Sequence, residues 1–190
     1  MRLFLIFFSF FLTACTNTEL RLQDFIPESK LQIEQNISSQ NTEFPYISTN
    51  FPDNCDWKSL KRVVDGDTII VDKNTRVRLI GIDTPETKRE NYPVQPYGLE
   101  ASKFTNDALS QELKYKSKKV CLIEDSIGDK YDQYGRRLSY VFTSEGKDLN
   151  GAILKSGLAR GYFRFPFDRK EEFRAYEREA KAQKVNIWEK

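Results

Sequence analysis

The sequence contains no histidine in 190 residues. Within this chain, that absence excludes a histidine general base, a histidine proton shuttle and a zinc ion held by imidazole nitrogens. Any hydrolytic chemistry must therefore depend on carboxylates, arginines and hydroxyl groups, with or without a hard metal ion.

The chain also has little net charge, +2 at pH 7, but its two parts differ. Residues 57–190 carry 27 Lys and Arg against 21 Asp and Glu, whereas residues 1–56 carry 3 against 7. The basic C-terminal part suits an anionic partner such as nucleic acid, although a solvated basic surface explains the same counts equally well. With 39% hydrophobic and 31% charged residues, most of the chain is expected to fold as a globular domain.

The first fifteen residues have the pattern of a secretory signal. Met1-Arg2 precedes the apolar run Leu3–Leu12, which is too short for a transmembrane helix because such a helix needs about 20 apolar residues. The segment Leu12-Thr13-Ala14-Cys15 resembles the bacterial lipoprotein cleavage box, which predicts lipidation of Cys15 and attachment to a membrane. An ordinary cleaved signal and a retained anchor helix are the alternatives. We therefore expect an exported chain whose folded part faces the periplasm or the cell exterior.

Two cysteines remain after Cys15, and they lie far apart in the sequence. Export permits disulfides, so Cys55 and Cys121 are candidates for one bridge, with two free buried cysteines as the alternative. Two thiols without histidine do not predict a zinc site. Residues 16–56 are polar and turn-prone, which predicts a flexible tether, with a partner-binding arm as the alternative.

Residues 57–190 show strand and helix periodicities and are predicted to form one domain. Strands are predicted over residues 60–64, 68–71, 75–82, 119–124 and 137–142, and helices over 97–113, 149–156 and 168–184. We expect Asp148 to cap the second helix, and Asp168 with Glu171 to cap the third. This order predicts an α+β fold, a five-stranded oligonucleotide-binding-type β-barrel with about three packed helices.

Phosphodiester hydrolysis without histidine needs a particular set of groups. Arginines must meet the negative charge that develops on the phosphate oxygens, and a carboxylate must orient or deprotonate the attacking water. A divalent cation can bridge the protein and the phosphate, and oxygen ligands select a hard ion such as calcium or magnesium.

The chain supplies these groups in short motifs that have plainer explanations when taken singly. Asp65-Gly66-Asp67 could be an ordinary turn, and Asp83-Thr84-Pro85-Glu86 could begin a helix. The aromatic residues between 162 and 167 could be core or groove wall. Arg78 lies five residues before Asp83, so a regular strand would place the two side chains on opposite faces. A bend near Gly81 would be needed to bring them to one site.

In their order along the chain, the motifs resemble the staphylococcal nuclease family over about residues 60–190. The segments that carry the resemblance are Val64–Thr68, Arg78–Glu86, Tyr97–Ala101, Asp132–Arg136 and Lys184–Trp188.

The resemblance implies a role for each of seven residues. Asp67, Asp83 and the backbone carbonyl of Thr84 match the family's calcium ligands. Glu86 matches the carboxylate that activates water. Arg78 and Arg136 match the arginines that bind the phosphate, and Tyr134 matches a tyrosine near the nucleotide.

The implied activity is calcium-dependent cleavage of DNA or RNA that leaves 3′-phosphate and 5′-hydroxyl ends. We expect a monomeric phosphodiesterase that is tethered to a membrane. The alternative is a non-catalytic oligonucleotide-binding barrel, displayed on the membrane, that captures nucleic acid without cutting it.

Overall fold

The computed structural model describes residues 54–87, 93–109 and 119–189. The predicted signal peptide, Cys15 and all but the last three residues of the predicted tether lie outside these ranges. Within them, no helix is long and apolar enough to cross a membrane.

Five strands close into a barrel in the order β1-β2-β3-β6-β5, which confirms the predicted architecture. Strands β3 and β6 are parallel, and the other neighbouring pairs are antiparallel. Two short strands, β4 and β7, pair outside the barrel. The strand bounds are β1 Asp56–Val63, β2 Thr68–Val71, β3 Thr75–Leu79, β4 Ile82–Asp83, β5 Lys119–Ile123, β6 Arg137–Phe142 and β7 Arg160–Gly161.

Among residues 54–87, 93–109 and 119–189, three α-helices accompany the barrel, as predicted, and a 3₁₀ turn follows the last of them. Their bounds are α1 Gly98–Ala108, α2 Leu149–Lys155, α3 Lys170–Gln183 and the 3₁₀ turn Asn186–Trp188. Helix α2 packs on α3, α1 and β6, so it lies between the barrel and the C-terminal helix. Its residues Leu149, Ile153 and Leu154 are fully buried in the shared core, which explains why so short a helix is stable.

The predicted strand over residues 75–82 is divided by a turn at Ile80-Gly81. Gly81 has φ +75°, a conformation that side chains rarely adopt. A Cβ atom there would lie 2.8 Å from ring atoms of Phe167 and Phe173, so the core also requires glycine at this position. The chain therefore bends between β3 and β4, as the expected convergence of Arg78 and Asp83 requires.

Asp148 occupies the predicted N-cap position of α2, whereas Arg169, not Asp168, is the N-cap residue of α3. Neither aspartate makes a side-chain capping hydrogen bond, because tertiary partners engage both carboxylates. The fully buried Asp148 makes no capping hydrogen bond, and its Oδ2 accepts from Arg169 Nη2 at 2.6 Å. Helix α3 begins at Lys170 without a side-chain cap. The Asp168 carboxylate instead accepts from the backbone N–H and the hydroxyl of Ser126, both at 2.8 Å.

Asn150 on α2 connects the helix to the bend between β3 and β4. Its side-chain oxygen accepts from the Val141 N–H on β6, and its amide nitrogen donates to the Ile80 carbonyl, both at 2.9 Å. All three groups are buried, so each bond also satisfies a backbone atom that water cannot reach. Helix α2 thus holds the bend in place.

Cys55 and Cys121 form a disulfide with 5.3 Å between their Cα atoms. Trp57, two residues after Cys55, pairs with Cys121 across β1 and β5, so the bond reinforces an existing antiparallel pair. The two cysteines are separated by 66 residues, a span that includes β2, β3 and α1.

Reduction of this disulfide should lower the free energy of unfolding by up to about 4 kcal/mol, because the open chain regains the entropy of a long loop. Urea unfolding of the chain with and without reductant measures the difference, and Cys55→Ala/Cys121→Ala provides a variant that reductant cannot affect. Equal midpoints for the oxidised and reduced parent would contradict the prediction.

Candidate active site

Strand register brings Arg78 and Arg136 to the same outer face of the barrel. Arg78 on β3 lies opposite Thr68 on β2 and beside Leu138 on β6. Its neighbours Val77 and Leu79 point into the core and are fully buried or nearly so. Arg136 lies in the turn directly before β6, two residues ahead of Leu138, and lines the same pocket as Arg78. The parallel pairing of two strands far apart in sequence therefore creates an arginine pair.

The Arg78 guanidinium is held by four oxygen atoms. Nη1 donates to the Leu79 carbonyl at 2.9 Å and to the Ile82 carbonyl at 2.6 Å, both of which the bend turns toward it. Nη2 lies 2.8 Å from Asp83 Oδ1 and 3.1 Å from Asp67 Oδ2. The side chain is only 12% exposed, so its orientation is fixed before any ligand arrives.

Asp67 is buried at the hairpin between β1 and β2. Its Oδ2 accepts from both the N–H and the hydroxyl of Thr84 at 2.9 Å, and its Oδ1 accepts from the Thr68 hydroxyl at 3.0 Å. The preceding Gly66 carbonyl accepts from Thr105 Oγ1 of α1 at 2.7 Å. Residues 65–67 do form a turn, but the turn also delivers a carboxylate to the site.

Asp65 belongs to this cluster, although the sequence interpretation did not assign it a role. Burial and the nearby charge of Asp67 raise the pKa of Asp65 to about 6. Its Oδ1 accepts from the Asp67 N–H at 3.2 Å. Burial also raises the pKa of Asp83, against the lowering effect of Arg78. The signal for Asp65 was its position two residues from Asp67 in a β-turn.

Two of the predicted metal ligands, Asp67 and Asp83, lie beside each other. Both carboxylates reach one nitrogen of Arg78, so they already converge on a single positive group. The predicted ligand set contains only oxygen atoms, the donors that calcium prefers. Among the residues described, no three acidic or cysteine side chains form a metal cluster; the predicted set has two carboxylates and a carbonyl.

The turn before β6 positions Arg136. Asp132 Oδ1 accepts from the N–H groups of Tyr134 and Arg136, and its Oδ2 accepts from Arg136 Nε at 2.6 Å. These bonds outweigh the effect of burial and hold the pKa of Asp132 below its usual range. Asp132 therefore orients both the turn and the Arg136 guanidinium. In the sequence, the only sign of this role was that Asp132 lies four residues before Arg136.

A pocket of about 540 Å³ connects the two arginines with a group of aromatic side chains. Arg78, Asp83 and Arg136 line it together with Tyr134, which is 74% exposed and whose ring centroid lies 5.5 Å from Arg136 Cζ. The aromatic residues near 165 divide between two roles. Phe167 is part of the core, whereas the exposed Tyr162 and Phe165 face the pocket.

Glu86 is the predicted site residue that makes no direct contact with the others. It lies three residues beyond Asp83 in an irregular segment, which excludes the helix start that its motif could have formed. Its N–H donates to Gln95 Oε1, and its carbonyl accepts from the Gln95 N–H, both at 3.0 Å. Its side chain is exposed, and no contact among the described residues joins its carboxylate to Asp67, Asp83 or either arginine.

The fold and the site together define an oligonucleotide-binding-type barrel that carries a carboxylate and arginine pocket on its outer face. A family model described as staphylococcal nuclease homologue matches residues 76–190. The chain belongs to the staphylococcal nuclease family.

The relatives agree with this assignment. A thermonuclease of Staphylococcus intermedius is 44% identical over 135 residues, covering 69% of this chain and 75% of the relative. A thermonuclease of Staphylococcus hyicus is 45% identical over 132 residues, covering 67% and 72%. The endonuclease YncB of Bacillus subtilis is 42% identical over 137 residues, covering 70% and 61%.

Gly81→Ala should destabilise the chain by about 3 kcal/mol, because positive φ and contact with two aromatic rings add together. Gly135→Ala is the matched control, with φ +73° but nothing within 4 Å of the added Cβ, so it should cost only about 1 kcal/mol. Urea unfolding compares the two variants. Equal losses would show that the aromatic contact at Gly81 contributes nothing.

Proposed function

We propose that this chain is a calcium-dependent nuclease that hydrolyses phosphodiester bonds of DNA or RNA and leaves 3′-phosphate ends. The observation that carries the proposal is the position of Arg78. One of its nitrogens contacts both Asp67 and Asp83, and its side chain shares a pocket with Arg136. A phosphate bound there would meet two guanidinium groups beside an acidic pair, which suits phosphoryl chemistry.

Two arginines act on the phosphate in this mechanism. Arg136 uses its Nε for Asp132 and keeps its two terminal nitrogens for phosphate oxygens. The terminal nitrogens of Arg78 already face four protein oxygens, so Arg78 contributes its positive charge and its Nε–H. Because the five-coordinate transition state carries more negative charge than the ground state, both arginines bind it more tightly than they bind the substrate. The contacts to Asp132 and to the carbonyls of the bend keep these donors in place.

The remaining groups act on the water and on the local charge. Glu86 is exposed and close to Asp83 along the chain, so its carboxylate is available to orient or deprotonate the attacking water. Asp67, Asp83 and the Thr84 carbonyl would hold the calcium ion. When bound, calcium supplies positive charge that the acidic pair and the phosphate share.

The purified chain should digest plasmid DNA with calcium and should not digest it with chelator. In the same assay, Arg78→Ala and Arg136→Ala should each remove about 3 kcal/mol of transition-state stabilisation, a loss of more than about a hundredfold in rate. Arg78→Lys keeps a positive charge beside Asp67 and Asp83, so its activity tests the guanidinium fork without removing the charge.

Arg178→Ala is the control for these variants. Arg178 is an exposed residue of α3, a helix that packs on α2 and β7 and carries none of the proposed site residues. Parental rates for both site variants would contradict the assignment of the arginines. Binding of plasmid without cleavage, in the presence of calcium, would favour the non-catalytic barrel instead.

We also propose that the enzyme acts outside the cytoplasm, attached to a membrane by lipid on Cys15. The support is the sequence of residues 1–15, together with a disulfide between Cys55 and Cys121, a bond that persists in oxidising compartments. A membrane-attached nuclease would act on nucleic acid that reaches the cell surface.

Cys15→Ser should abolish incorporation of labelled fatty acid and release the chain from the membrane fraction of an expressing bacterium, because it removes the acceptor thiol. Arg178→Ala is the control, since it keeps Cys15 and the disulfide and changes an exposed residue of α3. Fatty acid incorporation by the Cys15→Ser chain would exclude the proposed anchor.

A further inference from the structure

Two exposed arginines continue the outer face of the barrel beyond the site. Arg76 precedes Arg78 by two residues on β3, so both point outward. Across the sheet, Arg76 lies opposite Ile70 on β2, and Ile70 lies opposite Arg62 on β1. Neighbouring strands are about 4.8 Å apart, so Arg62, Ile70 and Arg76 form a short row across three strands. We call these three residues the outer row.

A β-bulge places Arg62 in the outer row. The register of β1 against β2 shifts between Leu60 and Arg62, so Leu60 faces the core opposite Val71 while Arg62 lies opposite Ile70. Without the bulge, Arg62 would share the inward face of Leu60, two residues before it. The side chain of the extra residue, Lys61, donates to the Lys73 carbonyl at 2.9 Å and to Asn74 Oδ1 at 3.1 Å.

The outer row has uncompensated positive charge. Asp56 on β1 and Asp72 after β2 are both paired with Lys58, and Asp56 is also paired with Arg137. In the described part of the chain, neither Arg62 nor Arg76 has an ion-pair partner, and both side chains are exposed. By contrast, Arg78 at the site is neutralised by two carboxylates.

The outer row and the aromatic pocket lie on opposite sides of Arg78. Residues 79–83, which follow Arg78, line the pocket. The outer row instead contains Arg76, which lies two residues before Arg78 on β3. A nucleic acid strand that is bound at Arg78 and Arg136 and extends away from the pocket along β3 would reach the outer row.

We propose that Arg62 and Arg76 bind backbone phosphates of the substrate strand on the side of the cleaved bond away from the aromatic pocket. This inference rests on the proposed nuclease function. The contacts are made to phosphates and carry no base specificity, so they favour long strands over short ones without selecting a sequence.

The test is the salt dependence of binding, measured in chelator so that nothing is cut. A labelled single-stranded DNA oligonucleotide is titrated at about 50 to 200 mM salt. Each lost phosphate contact should make the slope of log K against log salt shallower by about 0.7, so Arg62→Gln/Arg76→Gln should lose about 1.4. Glutamine retains part of the aliphatic stem beside Ile70, which limits the effect on folding.

Arg178→Gln is the matched control for Arg76→Gln, because it removes the same charge from an exposed position on α3. The proposal would be overturned if Arg62→Gln and Arg76→Gln left the slope of log K against log salt unchanged. It would also be overturned if Arg178→Gln made this slope shallower by the same amount as Arg76→Gln. With calcium, the double variant should lose more kcat/KM on a long oligonucleotide than on a dinucleotide, and equal losses would also overturn it. If the parent chain does not cut DNA, the nuclease proposal is contradicted instead. The assay of the parent chain alone therefore distinguishes this failure from failure of the outer-row proposal.

Discussion

The guanidinium of Arg78 connects the two acidic residues on which the rest of the site depends. It is largely buried, and so is Asp67, so each charge would be costly without the other. Asp83 adds a second carboxylate to the same nitrogen, and two backbone carbonyls complete the contacts. Loss of Arg78 would leave the buried Asp67 carboxylate without its counter-charge, so these two groups depend on each other.

Each helix that contacts the barrel stabilises a different part of this cluster. Through Asn150, α2 holds the bend that brings Asp83 back toward Arg78. Through Thr105, α1 holds the turn that carries Asp67. The aromatic rings of Phe167 and Phe173 fill the space beneath Gly81. The geometry of the site therefore depends on the packing of the whole domain and not only on the strands that carry the charged residues.

The outer face of the barrel combines neutralised and uncompensated positive charge. Arg78 and Arg136 are paired with carboxylates and are held rigidly, which suits transition-state binding at one position. Arg62 and Arg76 are exposed on flexible stems, which suits weak contacts with a polymer that moves along the surface. Strand register and one bulge separate these two kinds of arginine.

The sequence by itself determined the barrel and the three helices, because strand alternation and turn residues are local properties. It also determined the residue types of the site, because a chain without histidine leaves carboxylates and arginines for the chemistry. It did not determine how Arg78 and Asp83 reach one side, since regular alternation separates them and only the bend at Gly81, fitted against two rings, reunites them. Nor did it decide the partners of Asp148 and Asp168, whose capping potential is real but weaker than the tertiary bonds to Arg169 and Ser126. Register, burial and charge pairing arise between distant segments, and so only the tertiary structure decided them.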